Sequence, residues 1–528
     1  MSFEVKDKDL LGRIGKLRTK NGLLETPAFM PVVNPLLQTT SPRRMKREFG
    51  CEVIITNSYI IKRHFGELLG LELHRLLDYD GVIFTDSGAY QILVYGEVGV
   101  TQPEIIGFQK SINTDVGIIL DIPTGWDEPR SRVEYTVRET LRRAKEALPL
   151  ISDSDILWVG PVQGGRHLDL VAYSAQKIAE MPYDIHALGS PTEVMERYNY
   201  PVLVDMVMTA KKNLPLERPL HLFGAGHPMM FALAVAMGCD LFDSAAYTLY
   251  AKDMRYITSR GTVQLQNLQY LPCSCPVCRS ITSQDLKELP KGERQSLVAE
   301  HNLHVTMAEM EIVKQAITEG TLWDLVEARA KSHPQMTSAF KKLADYKEEL
   351  EKANPGFKGH GVFYYDYNSL AKPQVTRYKK QVLSNYAGSQ GREVLLLFRA
   401  PEYKPFNLYP GFLNVKRKLK QTLNMVEICF FVAPYGVVPE LLSETYPLSQ
   451  FELAEPIDHE TTKFTVKNVL DYIKAAKYSK VILIIGYGDL DAMLEDALNS
   501  MEVDLRVIKT DSIWSDETVS RISEAYTG

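Results

Sequence analysis

Apolar, strand-like segments that alternate with helix-patterned segments constrain this chain more than any other feature of its sequence. Near-continuous apolar strands separated by helices are typical of a parallel sheet whose faces are covered by helices. Eight such units in succession predict an α/β fold of the (β/α)8 TIM-barrel type. The predicted strands cover residues 27–33, 51–59, 81–88, 116–123, 156–165, 184–190, 219–226 and 240–247.

An open, doubly wound sheet is the alternative fold for this pattern. Sheets of that kind commonly carry a glycine-rich phosphate loop after an early strand. Neither GxGxxG nor GxxxxGK[ST] occurs in the sequence. The barrel is therefore the favoured prediction.

Four polar residues and one glycine follow the apolar parts of five predicted strands: Asp86, Asp121, Gln163, Gly189 and Asp243. Active sites of barrel enzymes assemble at the carboxyl ends of the strands. Asp86 and Asp243 lie among small residues, in TDSGAYQ and DLFDSAAY, and such carboxylates suit covalent and acid–base chemistry. Either aspartate alone is more commonly a helix cap. Five repeats of the same placement predict an active site.

A cysteine cluster after the eighth strand predicts a metal site. Cys273, Cys275 and Cys278 form a CxCxxC motif, and His301 follows on a predicted helix. Three thiolates and one imidazole make a closed tetrahedral zinc site, which leaves no position for a catalytic water. We therefore predict one structural zinc ion. The chain has 6 cysteines in all, and the other three lie in apolar surroundings, as expected of buried thiols in a reducing compartment.

Charge and hydropathy limit the functional class. The net charge of −6 over 528 residues argues against a generally basic nucleic-acid binder but permits a local basic surface. No apolar run approaches the roughly 20 residues that a membrane helix needs. The first residues lack the apolar core of a signal peptide, so we expect a cytoplasmic protein without membrane contact.

The length predicts more than one domain. We expect a catalytic barrel over residues 1–355, with a zinc-binding subdomain at about 268–305. The turn-rich stretch NPGFKGHG (354–361) predicts a boundary. Apolar strands beyond it predict two small accessory α/β domains, at 356–425 and 426–528. The charged helical stretch before the boundary contains four basic residues that could contact phosphates, although a solvated helix face is the commoner role: Arg329, Lys331, Lys341 and Lys342.

Six motifs in order give a family resemblance: TDSGAYQ, LDIPTGW, VQGG, HLFGAGHP, DLFDSAAY and the CxCxxC…H cluster. The chain resembles the tRNA-guanine transglycosylases, and most closely the archaeal, archaeosine-forming branch, over roughly residues 1–350. The resemblance implies replacement of the encoded guanine at position 15 in the tRNA D-arm by free 7-cyano-7-deazaguanine (preQ0), without cutting the phosphodiester backbone. It also implies a homodimer.

The resemblance implies a role for each candidate site residue. Asp243 matches the nucleophile that traps the ribose carbon, and Asp86 matches the general acid and base. Asp121 and Gln163 match residues that bind the base edges, helped by the backbone around Gly189 and Ser190. The flat base is expected to stack on Tyr90, which replaces the usual phenylalanine, and on Phe223. A stacked guanine cannot enter such a pocket, so it has to be flipped out of the D-arm.

Three departures from the family pattern bear on the substrate and on a partner. Pro123 stands where bacterial members have a cysteine, and the bacterial GGLAVGE loop is LGSPTEVME (188–196) here. Bacterial enzymes take a cationic aminomethyl base, so loss of that loop fits the neutral nitrile of preQ0. Many archaeal members of the family end with an RNA-binding PUA domain, and this chain shows no obvious one at its end. We therefore expect that a separate PUA protein supplies it.

Three alternatives make different demands on the sequence. An archaeosine-synthase-like paralogue would lose the two carboxylates that glycosyl transfer requires, and both are present. A non-catalytic tRNA-binding protein would gain nothing from acidic groups in a base pocket, because they weaken phosphate binding. A zinc hydrolase would need an open coordination position, which four protein ligands do not leave.

Overall fold

The structure is a computed structural model that describes residues 3–66, 70–89, 100–419 and 426–527. The chain forms two compact units, Met1–Tyr346 and Lys347–Gly528. Each unit is described by itself. No helix among the described residues is both long and apolar enough to cross a membrane.

In the described part of the first unit, eight parallel strands close into a barrel, which confirms the predicted fold. The pairing order follows the sequence, and the last barrel strand closes the ring by pairing with the first in the register Leu241↔Ala28. An open sheet is therefore wrong for this unit. The barrel strands are β4 (Ala28–Val33), β5 (Val53–Asn57), β6 (Val82–Asp86), β7 (Val116–Ile118), β8 (Leu157–Val162), β9 (Ile185–Leu188), β10 (Leu220–Leu222) and β11 (Leu241–Ser244).

Alternate residues of these strands fill the barrel. Val82 and Phe84 of β6 pack in one apolar cluster with Leu241 of β11. Because side chains alternate between the two faces of a strand, the next inward position on each strand is Asp86 and Asp243. The apolar alternation that builds the core thus delivers both carboxylates to the carboxyl end of the barrel.

Three antiparallel strands precede the barrel, and the sequence patterns did not predict them. They are β1 (Phe3–Asp9), β2 (Gly12–Thr19) and β3 (Gly22–Thr26). Phe3, Leu17 and Leu24 join the apolar cluster inside the barrel. Arg13 of β2 binds Asp240 through a buried ion pair with Nε–Oδ1 at 2.7 Å. This small sheet is therefore fixed to the residue that precedes β11.

Helices surround the barrel as the predicted α/β alternation requires. The helix Arg130–Ile151 shows the pattern: Val133, Val137 and Leu141 are buried at four-residue spacing. The helices of the first unit are α1 (Pro42–Phe49), α2 (Ser58–Phe65), α3 (Leu73–Leu77), α4 (Gln102–Ser111), α5 (Arg130–Ile151), α6 (Leu168–Ala179), α7 (Thr192–Glu196), α8 (Tyr200–Asn213), α9 (Pro228–Ala236), α10 (Ala246–Lys252), α11 (Pro276–Ser280), α12 (Ser283–Glu288), α13 (Lys291–Glu319), α14 (Leu322–Ala330) and α15 (Pro334–Leu343).

The region after the barrel combines a hairpin with a long helix. The hairpin strands β12 (Arg255–Thr258) and β13 (Gly261–Gln264) pair antiparallel. Helix α13 runs for 29 residues to Glu319 and is capped by Gly320, whose φ of 73° is the left-handed conformation that glycine adopts readily. This glycine divides the predicted helical stretch into α13 and the helices that follow it.

The second unit contains one five-stranded sheet, whose strands in spatial order are Gly436–Pro439 (β17), Val426–Val432 (β16), Val394–Arg399 (β15), Lys480–Ile485 (β19) and Asp504–Lys509 (β20). Strand β17 is antiparallel to β16, and the other neighbouring pairs are parallel. A separate parallel pair joins β14 to β18. These strands are β14 (Val362–Tyr364), β15 (Val394–Arg399), β16 (Val426–Val432), β17 (Gly436–Pro439), β18 (Phe451–Leu453), β19 (Lys480–Ile485) and β20 (Asp504–Lys509).

The helices of the second unit are α16 (Lys347–Ala353), α17 (Pro373–Gln381), α18 (Pro410–Leu419), α19 (His459–Ala476), α20 (Asp489–Asn499) and α21 (Asp516–Thr527). Short 3₁₀ turns lie at Leu265–Asn267 and Ala344–Tyr346 in the first unit, and at Tyr367–Ala371, Phe406–Leu408 and Glu440–Leu442 in the second. A π turn covers Val382–Tyr386.

The structure differs from the predicted domain limits in two ways. Strand β15 pairs with β16 across the expected boundary at 425, so one sheet replaces the two accessory domains. The first boundary falls before α16 and not at residue 355. Arg377 explains this position, because its guanidinium donates to the carbonyl oxygens of Glu351, Asn354 and Pro355, each at 2.7 Å. The turn-rich stretch is thereby fixed within the second unit.

Candidate active site

A cavity of about 1150 Å³ opens at the carboxyl ends of the barrel strands. Seven residues that the sequence marked as site candidates line it together: Asp86, Asp121, Gln163, Gly189, Ser190, Phe223 and Asp243. The eighth candidate, Tyr90, lies outside the described residues. A cavity lined by convergent polar groups at this end of a barrel is the usual form of a barrel active site.

Asp86 ends β6 and accepts a hydrogen bond from Asn57 Nδ2 at 3.1 Å. Burial, and after it the neighbouring charges of Asp121 and Asp243, raises the pKa of Asp86 from 3.8 to about 7. A carboxyl group with this pKa exchanges its proton near neutral pH. That property suits an acid that later acts as a base.

Asp121 and Gln163 form one hydrogen-bonded unit on the cavity wall. Gln163 Nε2 donates to Asp121 Oδ2 at 2.6 Å, and Gln163 Oε1 accepts from Ser190 Oγ at 2.9 Å. The Thr124 backbone N–H donates to Gln163 Oε1 at 3.1 Å. Burial raises the pKa of Asp121 to about 6. This network fixes the orientation of both side chains and leaves Asp121 Oδ1 as a further acceptor.

Gly189 has no room for a side chain. A Cβ atom at this position would overlap the Gln163 amide, so the close approach of backbone and amide requires glycine. Ser190 follows with φ of 66°, an uncommon left-handed conformation for a residue other than glycine. This backbone places the Ser190 hydroxyl against Gln163.

In the described part of the chain, the hydrogen bonds to the Asp243 side chain all reach one carboxylate oxygen. Asp243 Oδ1 lies 2.8 Å from His221 Nε2 and accepts from the Gly224 backbone N–H at 3.0 Å. The side chain is 15% exposed, so it meets the cavity while most of its surface is covered. Asp243 therefore has a fixed orientation at the cavity floor.

The sequence patterns missed three residues that hold the two aspartates: Asn57, His221 and Gly224. Asn57 ends β5 as Asp86 ends β6, and the two are register partners. His221 is two residues before Phe223 on the same predicted strand, which places both on one face. The pattern contained a signal for Asn57 and His221, whereas Gly224 acts through its backbone, for which side-chain chemistry gives no signal.

The predicted metal ligands converge after the barrel. The ligand atoms of Cys273, Cys275, Cys278 and His301 all lie within 4.8 Å of one another. His301 Nδ1 lies 3.3 Å from Cys278 Sγ and 3.6 Å from Cys275 Sγ. Three thiols and an imidazole at this separation could hold one metal ion. His304, one helical turn after His301, packs against Phe49 with ring centroids 4.3 Å apart.

The imidazole of His301 is oriented for ligation. Its Nε2 lies 2.9 Å from the Ile257 carbonyl oxygen, which can only accept, so Nε2 carries the proton and Nδ1 presents its lone pair to the thiols. Tyr256 stacks on the ring with centroids 3.5 Å apart. The donor set and its orientation therefore fit a tetrahedral site closed by four protein ligands.

The residue after His301 connects the metal cluster to the cavity. Asn302 Nδ2 donates to the carbonyl oxygens of Tyr247 and Arg255, both at 3.1 Å. Its Oδ1 accepts from the Ile257 N–H at 2.8 Å. Tyr247 follows Asp243 by four positions, so the helix that carries the metal ligand also supports the segment after the aspartate.

Two of the four basic residues proposed for phosphate contact are engaged within the protein. Arg329 donates to Glu309 Oε1 at 2.6 Å and to Oε2 at 2.9 Å, and Glu309 is buried. Lys342 pairs with Asp205 at 3.4 Å and with Asp345 at 3.0 Å. Arg329 is thus an internal partner of a buried carboxylate and does not form a free basic face.

Comparisons with known proteins agree on one family. The family model described as queuine tRNA-ribosyltransferase matches residues 7–335, and a domain of unknown function matches residues 375–526. A tRNA-guanine(15) transglycosylase of Saccharolobus solfataricus is 41% identical over 490 residues, which cover 91% of this chain and 96% of that protein. The enzyme of the same name from Thermococcus onnurineus is 44% identical over 476 residues, covering 90% and 75%. That of Thermococcus kodakarensis is 49% identical over 382 residues, covering 72% and 65%.

Proposed function

This chain belongs to the queuine tRNA-ribosyltransferase family, and from that membership we propose that it exchanges the guanine at position 15 of tRNA for a free 7-deazaguanine base. The family resemblance predicted from the sequence motifs is confirmed. One observation carries the proposed chemistry: Asp86, with a pKa of about 7, shares a cavity with the firmly held Asp243.

The first half-reaction breaks the bond between ribose C1′ and guanine N9. Asp243 attacks C1′ and forms a covalent ester while the electron pair of the C1′–N9 bond leaves with the base, as in retaining glycosidases. Asp86 donates its proton to the departing guanine. The raised pKa of Asp86 supports this role, because a carboxyl group with an ordinary pKa would have lost its proton at neutral pH.

The second half-reaction reverses the same steps with a new base. Asp86, now ionised, removes a proton from the incoming base, and the base nitrogen attacks C1′ and releases Asp243. One pair of carboxylates serves both directions, because guanine and a 7-deazaguanine present nearly the same atoms to them. The phosphodiester backbone takes no part, so the chain stays intact.

Asp121 and Gln163 are the proposed recognition groups for the base. Guanine presents N–H donors along its Watson–Crick edge, and the Asp121 carboxylate, whose Oδ2 already accepts from Gln163, supplies its Oδ1 as an acceptor. Phe223 supplies an aromatic ring at the cavity wall. Both interactions require the base to leave its stack, so we propose that the D-arm opens and the guanine flips into the cavity.

We propose preQ0 as the incoming base. The support is the archaeal character of the relatives and the loop 188–196, which departs from the bacterial loop at Pro191. Proline has no backbone N–H, so this loop differs in donors as well as in shape. Competition between preQ0, its cationic aminomethyl analogue and guanine for incorporation measures the preference directly.

We propose that zinc occupies the Cys3His cluster as a structural ion. Cys273, Cys275, Cys278 and the Nδ1 atom of His301 would hold it. Bound zinc supplies folding stability at such a closed site and no open position for a reactant. A homodimer is proposed from the family resemblance, and sedimentation of the purified chain measures it.

The test is exchange of labelled guanine or preQ0 into tRNA by the purified chain. We expect label at position 15 in the D-arm, and no exchange by Asp243→Asn or Asp86→Asn. A tRNA in which position 15 is adenine serves as the substrate control. Exchange at any other position, or unchanged exchange by Asp243→Asn, would contradict the proposal.

A further inference from the structure

We propose that His221 is a positioning residue for Asp243, which it holds by Oδ1 so that Oδ2 is the atom that attacks the ribose. The inference rests on the proposed function, because it assigns a task within the transfer reaction. It comes from contacts at the cavity floor that neither the motifs nor the family match describe.

His221 lies inside the barrel wall at β10 and is fully buried, with 0% of its surface exposed. Its ring meets Phe223 edge-on, with centroids 4.7 Å apart at 84°. Phe84 packs on it at 6.2 Å and 81°. Two aromatic rings at right angles to the imidazole leave it little freedom to rotate, so the position of Nε2 is set by packing.

The contact between His221 and Asp243 defines the proton's place on the ring. A carboxylate oxygen accepts hydrogen bonds, so the 2.8 Å contact from Nε2 to Asp243 Oδ1 requires the proton on Nε2. His221 Nδ1 is buried and has no hydrogen-bond partner among the described residues. The opposite tautomer would bury an unpaired N–H at Nδ1 and turn a lone pair towards Asp243. His221 therefore donates from Nε2.

A second donor reaches the same oxygen from a different direction. The Gly224 N–H donates to Asp243 Oδ1 at 3.0 Å. Gly224 has φ of 67°, and a Cβ there would lie 2.5 Å from Thr192 Oγ1, so both conformation and space favour glycine. Among the described residues, no hydrogen bond reaches Asp243 Oδ2. The two oxygens are thus unequal: one is anchored and the other faces the reaction.

This asymmetry persists through the reaction. When Oδ2 bonds to C1′ and the C1′–N9 electron pair leaves with the base, Oδ1 becomes the carbonyl oxygen of the ester. A carbonyl oxygen still accepts both hydrogen bonds. His221 and Gly224 therefore hold the aspartate in one place during attack and release, which maintains alignment with the ribose carbon.

The test compares two side chains of similar length at position 221. The amide of His221→Gln can donate a hydrogen bond to Asp243, whereas the thioether of His221→Met cannot. His186→Met is the matched control. His186 is an equally buried histidine on the neighbouring strand β9, and its two ring nitrogens have no hydrogen-bond partners among the described residues. Guanine exchange is measured at saturating and limiting tRNA for wild type and the three variants.

We expect His221→Met to lower kcat by roughly 10- to 100-fold while KM for tRNA changes by less than about 3-fold, because the lost interaction acts on the reacting group. His221→Gln is expected to recover most of the wild-type kcat. His186→Met is expected to keep the wild-type kcat. Equal kcat values for the Gln and Met variants would overturn the inference, since packing alone would then explain the histidine. A change confined to KM would overturn it as well.

The experiment also distinguishes a failure of the proposed function from a folding defect in one variant. If wild-type protein exchanges no guanine, the proposed function itself falls, and the inference falls with it. If wild type is active and His221→Met does not fold, as judged by its thermal midpoint against His186→Met, His221→Asn takes its place, because its shorter amide cannot reach Asp243. Activity of His221→Asn equal to that of His221→Gln would then refute the positioning role.

Discussion

Replacement of Asp86 by asparagine is expected to remove activity and to stabilise the protein at alkaline pH. The carboxyl of Asp86 has a pKa raised from 3.8 to about 7, first by burial and then by the charges of Asp121 and Asp243. Asparagine has nearly the same shape, carries no charge and can still accept from Asn57. The variant therefore removes the titrating group that catalysis requires, while the gain in stability reports what the ionised carboxyl costs the folded state.

The magnitude follows from proton linkage. Because the pKa of Asp86 is higher in the folded protein than in the unfolded chain, the folded state binds more protons between pH 3.8 and about 7. The contribution of Asp86 to the free energy of unfolding is therefore fully present below pH 3.8. It falls as the pH rises from 3.8 to about 7 and is lost above about pH 7. Three pH units at about 1.4 kcal/mol each set an upper limit of about 4 kcal/mol on the loss.

Thermal midpoints across the pH range measure this difference. We expect Asp86→Asn to melt several degrees above wild type at about pH 8 and the difference to shrink towards about pH 4. Asp155→Asn is the control, since the Asp155 side chain is 77% exposed and its loss should not change stability in this pH-dependent way. Only the transition of the first unit is compared, because a chain of two units need not unfold in one step.

A clear result would refute this reasoning. If Asp86→Asn is no more stable than wild type at about pH 8, or if its advantage is the same at both ends of the range, Asp86 is not a buried carboxyl with a raised pKa. Retained exchange activity in the same variant would remove Asp86 from the acid–base role.

Three other substitutions test separate parts of the structure. Gly189→Ala should displace the Gln163 amide and raise KM for the free base by roughly 10-fold in exchange kinetics, with little effect on stability; an unchanged KM would argue against Gln163 as a base contact. Cys275→Ala should abolish stoichiometric zinc, measured by elemental analysis, and lower the thermal midpoint; metal retained at one per chain would contradict the ligand assignment. Arg329→Met should leave Glu309 buried without its partner and lower the free energy of unfolding by about 3 kcal/mol, measured with denaturant, while tRNA affinity is kept. A loss of tRNA affinity without a loss of stability would instead indicate that Arg329 contacts the RNA.

The barrel and the convergence of the site candidates were accessible from sequence because one periodicity controls both. Val82, Phe84 and Asp86 alternate on one strand, so the pattern that predicts a core also predicts where the carboxylate lies. The metal cluster was accessible because three cysteines fall within six residues and need only one distant histidine. In both cases local spacing carries the three-dimensional information.

Contacts between distant segments account for what the sequence did not predict. His221 reads as one polar residue in an apolar strand until the barrel brings it to Asp243, 22 positions away. Arg377 fixes the carbonyl groups of a stretch that looked like a linker. The first three strands alternate charged and apolar residues weakly, and only their packing against the barrel identifies their inner face. Such pairings join segments that are far apart in the sequence, so spacing within one segment does not name the partner.

Mass spectrometry of the enzyme–tRNA adduct tests the proposed covalent bond between Asp243 and the ribose. Enzyme and tRNA are mixed without a free base, quenched in denaturant and digested with nuclease and protease. We expect a ribose-containing fragment attached to the peptide that carries Asp243, absent from Asp243→Asn and released when preQ0 is added before the quench. An adduct on another residue, or an adduct that persists in Asp243→Asn, would contradict the assignment.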